Sequence, residues 1–222
     1  MVTSMSTVAT AESSATRERA RRPRPTQAER VVAMRARLLD ATIECLVAHG
    51  YSQMSTNDVV RRAGVSRGAL AHYFPTKAEL VAAAGARLIE ERTAEYEAMF
   101  YALPPAKQTV AEALDVLWSY YEGPPFAALL ELIVAARTDP ELRTALADGP
   151  ERITASSYGV FVKLFPQIAD NPSAEPLLRV VLATLAGLAL QTIVDGDRHG
   201  HHAALRETIK TIATGMVPAR GR

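Results

Sequence analysis

Arg67, His72 and Tyr73 stand close together in the chain behind Ser66, and all three side chains suit contact with a nucleic acid. An arginine can donate two parallel hydrogen bonds to guanine O6 and N7, worth roughly 1–3 kcal/mol of discrimination against a wrong base. His72 and Tyr73 can donate to backbone phosphates, while Gly68 and Ala69 are small enough for their backbone to approach base edges closely. Lys77 opens the next helix, where a cation opposes the helix macrodipole. The placement makes sense if a phosphate comes there, since the ammonium and the free backbone amides would bind it together. Other chemistries lack their residues: no nucleophile elbow, P-loop or glycine-rich dinucleotide fingerprint occurs, so neither an enzyme nor a cofactor is expected. The alternative is a small metal-dependent enzyme built on His199, His201 and His202. Their spacing matches neither H-E-x-x-H nor a Cys/His zinc pattern, so a solvated loop is the first reading and no metal ligand is assigned.

These side chains need rigid elements to aim them, and the stretch from Ser55 to Lys77 supplies two short helices and the start of a third. Ser55 and Asp58 have the S-x-x-D spacing of a capping box, with Met54 and Val59 as its hydrophobic staple. Gly64 sits where the chain must reverse, because glycine tolerates positive φ. Ser66 caps the second helix, with Val65 and Leu70 in staple positions. Thr76 and Glu79 form a further capping box. A short helix, a glycine-containing turn and another short helix is the helix-turn-helix pattern.

The 222 residues are 48% hydrophobic with few aromatics, which favours packed helices and suffices for a sizeable core. One cysteine, Cys45, excludes an intramolecular disulfide and fits a reducing cytoplasm. No secretory signal is read in the first residues, and no run of about 18 apolar residues suggests a membrane span. Residues 1–80 hold 12 Lys and Arg against 7 Asp and Glu, whereas residues 81–222 hold 13 against 17. A basic front and an acidic back imply that the front faces a polyanion.

The chain reads as all-α with about nine helices. Residues 1–28 form a disordered basic tail, 29–76 a three-helix DNA-binding domain, and 77–216 a helical ligand-binding and dimerisation domain. The first helix is expected from Gln27 to His49, with Val32, Ala36, Leu39, Ile43, Leu46 and Val47 on one stripe and Gly50 ending it. Two short ones follow at 56–63 and 67–73, then a long one from Lys77 to Leu103, stopped by Pro104-Pro105. Later stretches are expected at 106–121, 126–137, 140–165 (kinked or split at Gly149-Pro150), 173–194 and 201–215. The arginines of the tail are candidates for an arm on DNA phosphates.

From Gly64 to Leu80, GVSRGALAHYFPTKAEL, the chain resembles the TetR family of bacterial transcriptional regulators. The resemblance is specific over residues 30–85 and architectural beyond, apart from the TDPELR segment at Thr138–Arg143. It implies a ligand-responsive regulator, acting as a repressor on a palindromic operator in double-stranded DNA. By position it implies Ser66, Arg67, Gly68, Ala69, His72 and Tyr73 at the major groove. Thr56 and Lys77, with Ser55 at the same helix start, would lie at flanking phosphates. Ala71 departs from the family, which usually has a tyrosine there; an alanine could meet only a thymine methyl.

One recognition helix reads few base pairs, so a homodimer is expected. Residues 177–194 are apolar nearly all round, which requires burial on both sides. With Leu205, Ile209 and Ile212 they resemble the family's four-helix dimer bundle. Trp118, Tyr121, Phe126, Tyr158 and Phe161 are the candidate lining of a cavity for a small apolar effector.

Overall fold

Helical periodicity carries through all the residues that the computed structural model describes, 26–196 and 200–217, as ten α-helices and two short 3-10 turns with no strand among them. The arginine-rich tail and His199 lie outside those residues. Contacts divide the chain into Met1–Met34 and Arg35–Arg222. In the first unit, Thr26 and Glu29 cap the opening turn reciprocally, with N–H···O distances of 2.6 and 3.2 Å. Val32, expected on the buried stripe, is 68% exposed.

Helix α1 spans Gln27–Gln53, and from Leu38 onward it buries Leu38, Leu39, Thr42, Cys45 and Leu46. Gly50 breaks it as expected, at φ 71° and ψ 169°, after which a single helical turn resumes. That region of backbone space is essentially closed to other residues. Helix α2 (Thr56–Ala63) carries the complete Ser55–Asp58 capping box and ends at Gly64, φ 61°, whose N–H reaches the carbonyls of Val60 and Arg61. Met54 and Val59, the staple pair, are both buried. Helix α3 (Arg67–Tyr73) starts at Ser66, whose hydroxyl accepts from the Ala69 N–H, and it buries Leu70. Helix α4 (Lys77–Ala102) starts at Thr76 and buries Leu80, Val81, Ala84 and Leu88, then Tyr96 and Phe100 further on.

The remaining helices are α5 (Val110–Tyr121), α6 (Pro124–Ala135), α7 (Pro140–Ala145), α8 (Gly149–Leu164), α9 (Ala174–Asp195) and α10 (His201–Met216). Two helix starts differ from the sequence expectation for identifiable reasons. Helix α5 begins at Val110 rather than Ala106 because Thr109 caps it, its hydroxyl accepting from the Glu112 N–H at 3.3 Å, and a 3-10 turn takes Pro105–Lys107. Helix α6 begins two residues early, since prolines suit a first turn whose N–H groups are unpaired. The helix expected over 140–165 is fully split into α7 and α8.

The main core draws on α4, α5, α8, α9 and α10, including Phe100, Leu114, Trp118, Phe161, Phe165, Leu178, Leu185 and Ala213. One expectation is corrected here. Ala174–Val194, within α9, is long and apolar enough to cross a membrane by length and composition. Its Leu178, Val181, Leu182, Leu185 and Leu188 are buried in the core, while Val180, Leu190, Ile193 and Val194 stay exposed.

A Cβ at Gly50 would collide with the Glu131 carboxylate, and the backbone there disfavours any other residue. Gly50→Ala therefore destabilises the fold by about 1–3 kcal/mol, measurable as a lowered denaturant midpoint.

Candidate nucleic-acid interface and ligand cavity

Two caps orient the recognition surface. The Ser55 hydroxyl accepts from the Asp58 N–H while the Asp58 carboxylate accepts from the Ser55 N–H at 3.0 Å. The Ser55 hydroxyl, which donates to the Asp58 carboxylate at 2.6 Å, and then the Ser55 N–H hold that carboxyl below its usual range, and Arg61 adds an ion pair at 2.5 Å. Beyond the turn, Ser66, Arg67, Gly68, Ala71 and His72 are exposed, whereas Ala69 and Tyr73 are half-buried. Leu70 and Phe74 point the other way into the core. The His72 and Tyr73 rings meet edge to face at 5.2 Å, and Arg35 lies over the Phe74 ring at 4.6 Å. So α3 keeps one side for packing and leaves Arg67 and His72 outward. Ser55 is exposed and Thr56 half-buried at the start of α2.

Lys77 is placed differently from its expected outward position. Its ammonium donates to the Tyr51 carbonyl at 2.9 Å and lies 4.2 Å from the centre of the Tyr51 ring. Partial burial lowers its pKa, with Asp139 opposing that shift. The physical reason lies in the last turn of α1, where the Tyr51 carbonyl has no helical partner and the first residue of α4 reaches it. The same tyrosine ties two later helices. Its N–H donates to Glu131 of α6 at 2.8 Å, and its hydroxyl donates to Asp139 at 2.8 Å. Burial, then the hydrogen bond to Asp139, pushes the Tyr51 phenol up to about 12. Asp139 is also the cap of α7, accepting from the Leu142 N–H at 2.9 Å. The Leu142 N–H, followed by the Tyr51 hydroxyl, holds its carboxyl below the usual range. Sequence reading found each residue's local role but not their meeting, because Tyr51 and Asp139 are 88 positions apart.

Further along α4 a cavity of about 420 Å³ opens among α4, α5, α6, α8 and α9. Leu88, Ile89, Arg92, Thr93 and Tyr96 face it from α4, at the three- and four-residue spacing of one helix side. Of the expected lining, Tyr121, Phe126 and Phe161 are brought together there. Tyr121 and Phe126 lie 4.6 Å apart between ring centres, and Phe161 stacks on Tyr96 at 6.1 Å. Burial raises the Tyr121 phenol well above its ordinary range.

Trp118 and Tyr158 are not on that wall. Trp118 is 3% exposed in the core beneath Arg206, whose guanidinium lies 5.0 Å from its ring centre. It sits on the α5 face toward α10. Tyr158 lines a separate space of about 40 Å³ with Leu114, Leu178 and Ala213. Aromatic spacing alone could not assign these two, since core and cavity faces share one helical period.

Among the described residues no group of three or more His, Cys, Asp and Glu could hold a metal. His202 is buried with its Nδ1 3.1 Å from the Thr192 hydroxyl, and His201 is exposed.

The chain matches the family model described as "Bacterial regulatory proteins, tetR family" over residues 38–84 and "Tetracyclin repressor-like, C-terminal domain" over 104–219. It is similar to the HTH-type transcriptional regulator CymR of Pseudomonas putida, at 31% identity over 191 residues, covering 84% of this chain and 93% of the relative. An uncharacterised HTH-type transcriptional regulator of Mycobacterium tuberculosis is 34% identical over 163 residues, covering 66% of this chain and 84% of the relative. Among solved structures, a transcriptional regulator from Rhodococcus sp. Rha1 superposes with a TM-score of 0.58 at 26% identity, covering 82% and 95% of the two chains. The multidrug binding protein EbrR in complex with ethidium shares the fold at a TM-score of 0.58 and 22% identity, covering 84% and 99%.

Because Asp139 is held below its unfolded value near 3.9, the stability it contributes is present above that pH and is lost as pH falls through its lower folded value. Acid unfolding curves of Asp139→Asn should therefore lose part of the stability slope below about pH 4. The Tyr51→Phe variant should show a smaller loss of slope, since it keeps the bond from Leu142.

Proposed function

The chain belongs to the TetR family and is a DNA-binding transcriptional regulator, and we propose that it acts as a homodimeric repressor, released from a palindromic operator by a small apolar ligand. One observation carries this reading: a single helix, α4, leaves the helix-turn-helix at Lys77 and supplies the cavity wall from Leu88 to Tyr96. From Lys77 to Arg92 is roughly 22 Å along a helix axis, a rigid connection between the two ends.

Residues 29–76 serve as the DNA-reading domain and 77–216 as the ligand-binding and dimerisation domain. Arg67 reads a base edge, while Ser55, Thr56, Ser66, Gly68, Ala69, His72 and Tyr73 fit the groove and its phosphate rims. Lys77 acts through the Tyr51 junction, fixing α4 against the end of α1. The ligand occupies the cavity around Tyr121, Phe126 and Phe161. That EbrR is a multidrug binding protein seen with ethidium makes small-molecule capture by this fold reasonable. Two copies pair through α9 and α10, whose Val180, Leu190, Ile193, Leu205 and Ile212 are large, apolar and exposed in the single chain. Ala183 and Gly187 on the same side of α9 would let a partner helix approach closely. The protein works in the cytoplasm, where its DNA is.

A ligand releases the operator only by binding one spacing of the recognition helices better than the other. Tilting α4 about the Tyr51 junction provides that difference.

Footprinting of the purified protein on its own upstream region should reveal a two-fold symmetric site, with affinity falling steeply as salt rises. Arg67→Ala should cost roughly 1–3 kcal/mol on that site and relax preference at one base position. Lys77→Ala should weaken operator binding while leaving the salt slope unchanged, whereas a lost phosphate contact would reduce it by about one. Absence of any preferred site at every salt concentration would contradict the reading.

A further inference from the structure

The charged groups of the cavity lining are of one sign. It contains Arg92 and Arg179 and no Asp or Glu. The guanidinium of Arg179 is already committed, with hydrogen bonds of 2.8–3.2 Å to Glu151 and Glu175. Arg92 is not so enclosed. One of its nitrogens meets Glu95 at 3.1 Å, and its plane lies 5.3 Å from the centre of the Tyr120 ring. A guanidinium has five N–H donors, so most of those of Arg92 remain for another acceptor. Thr93 and Thr154 spend their hydroxyl protons on the carbonyls of Ile89 and Pro150. Tyr96 and Tyr120 spend theirs on the Ala113 carbonyl and the Met99 sulfur; Ser157 and Tyr121 add neutral hydroxyls, and the rest of the wall is apolar, including Leu88, Leu129, Ile133, Ile153 and Leu182.

A cationic guest would meet Arg92 across this surface with no carboxylate to offset its lost hydration, a costly burial. A guest carrying a carboxylate would find in Arg92 the cation of the lining with donors to spare, in a planar fork that matches it. We propose that the cavity selects small apolar acids, with the hydrocarbon body against Tyr121, Phe126 and Phe161 and the carboxylate toward Arg92, and that it rejects organic cations of the same size. This rests on the reading of the cavity as the effector site, and it names the chemistry that such an effector must have. The sequence reading gave only a small apolar effector; the folded α4 adds Arg92 to the cavity wall.

Three matched probes of one shape and different charge test it on the full-length protein: 2-naphthoate, 2-naphthalenemethanol and 2-naphthylmethylammonium, titrated by calorimetry. The acid should bind roughly tenfold to a hundredfold more tightly than the alcohol, the range for a hydrogen bond to a charged group, and the ammonium should bind weakest. Arg92→Met should erase the advantage of the acid while leaving alcohol affinity within about twofold, the alcohol reporting an intact cavity; Arg92→Lys should keep part of the advantage. Equal binding of all three probes, or tightest binding of the ammonium, would overturn the selectivity and leave the effector cavity standing. A cavity-filling Ser157→Trp variant separates the deeper failure. If no probe binds the parent protein, or if Ser157→Trp leaves binding of every probe unchanged, the cavity is not the binding site and both readings fall together.

Discussion

The structure turns on one defect in a helix. Gly50 takes a backbone conformation open essentially to glycine, and α1 breaks there. The break exposes the Tyr51 amide, and the end of α1 at Gln53 leaves the Tyr51 carbonyl without a helical donor. Glu131 takes the amide and Lys77 takes the carbonyl, while the Tyr51 hydroxyl reaches Asp139. One residue thus joins the end of the first helix, the start of α4, the middle of α6 and the cap of α7. A continuous helix through Gly50 would leave those partners without their common point. Their charges alternate around the tyrosine, cation on the carbonyl and ring, carboxylates on the amide and hydroxyl, which fits each group to its complement.

This arrangement explains why α4 can report on a ligand. Its first residue is held by the junction and its middle forms a wall of the cavity, with an unbroken helix between. A helix of 26 residues without an internal break moves as a rod more readily than it bends. On the proposed reading, a guest pressing on Leu88, Arg92 or Tyr96 acts on a lever whose fixed end is the Tyr51 junction.

The local grammar of the DNA-reading end was legible because its signals are short-range. Ser55 with Asp58, Gly64 and Ser66 specify their turns within a few residues, and the structure shows each of those hydrogen bonds. Gly50 and Thr76 were readable for the same reason. What escaped was long-range. Lys77 was expected at a phosphate because its partner in the fold, the Tyr51 carbonyl, lies 26 positions back in the chain. Trp118 and Tyr158 looked like cavity lining because helical spacing marks a buried face without saying which of two neighbouring spaces that face meets. Arg92 was hidden among the glutamates of α4. The start of α5 followed its cap, Thr109, rather than composition.

The central claim is that the cavity and the recognition helices are two ends of one mechanical element, and a distance measurement tests it most directly. Ala48 is exposed on α1, and the lone native cysteine, Cys45, is only 1% exposed. A spin label at Ala48→Cys can therefore report the separation of the two DNA-reading domains in the dimer. The label-to-label distance would be recorded for the parent protein, free and operator-bound, and for the cavity-filled Ser157→Trp form. The account predicts that filling the cavity shifts the distances away from the operator-bound distribution. Identical distributions in the parent and the cavity-filled protein would contradict it.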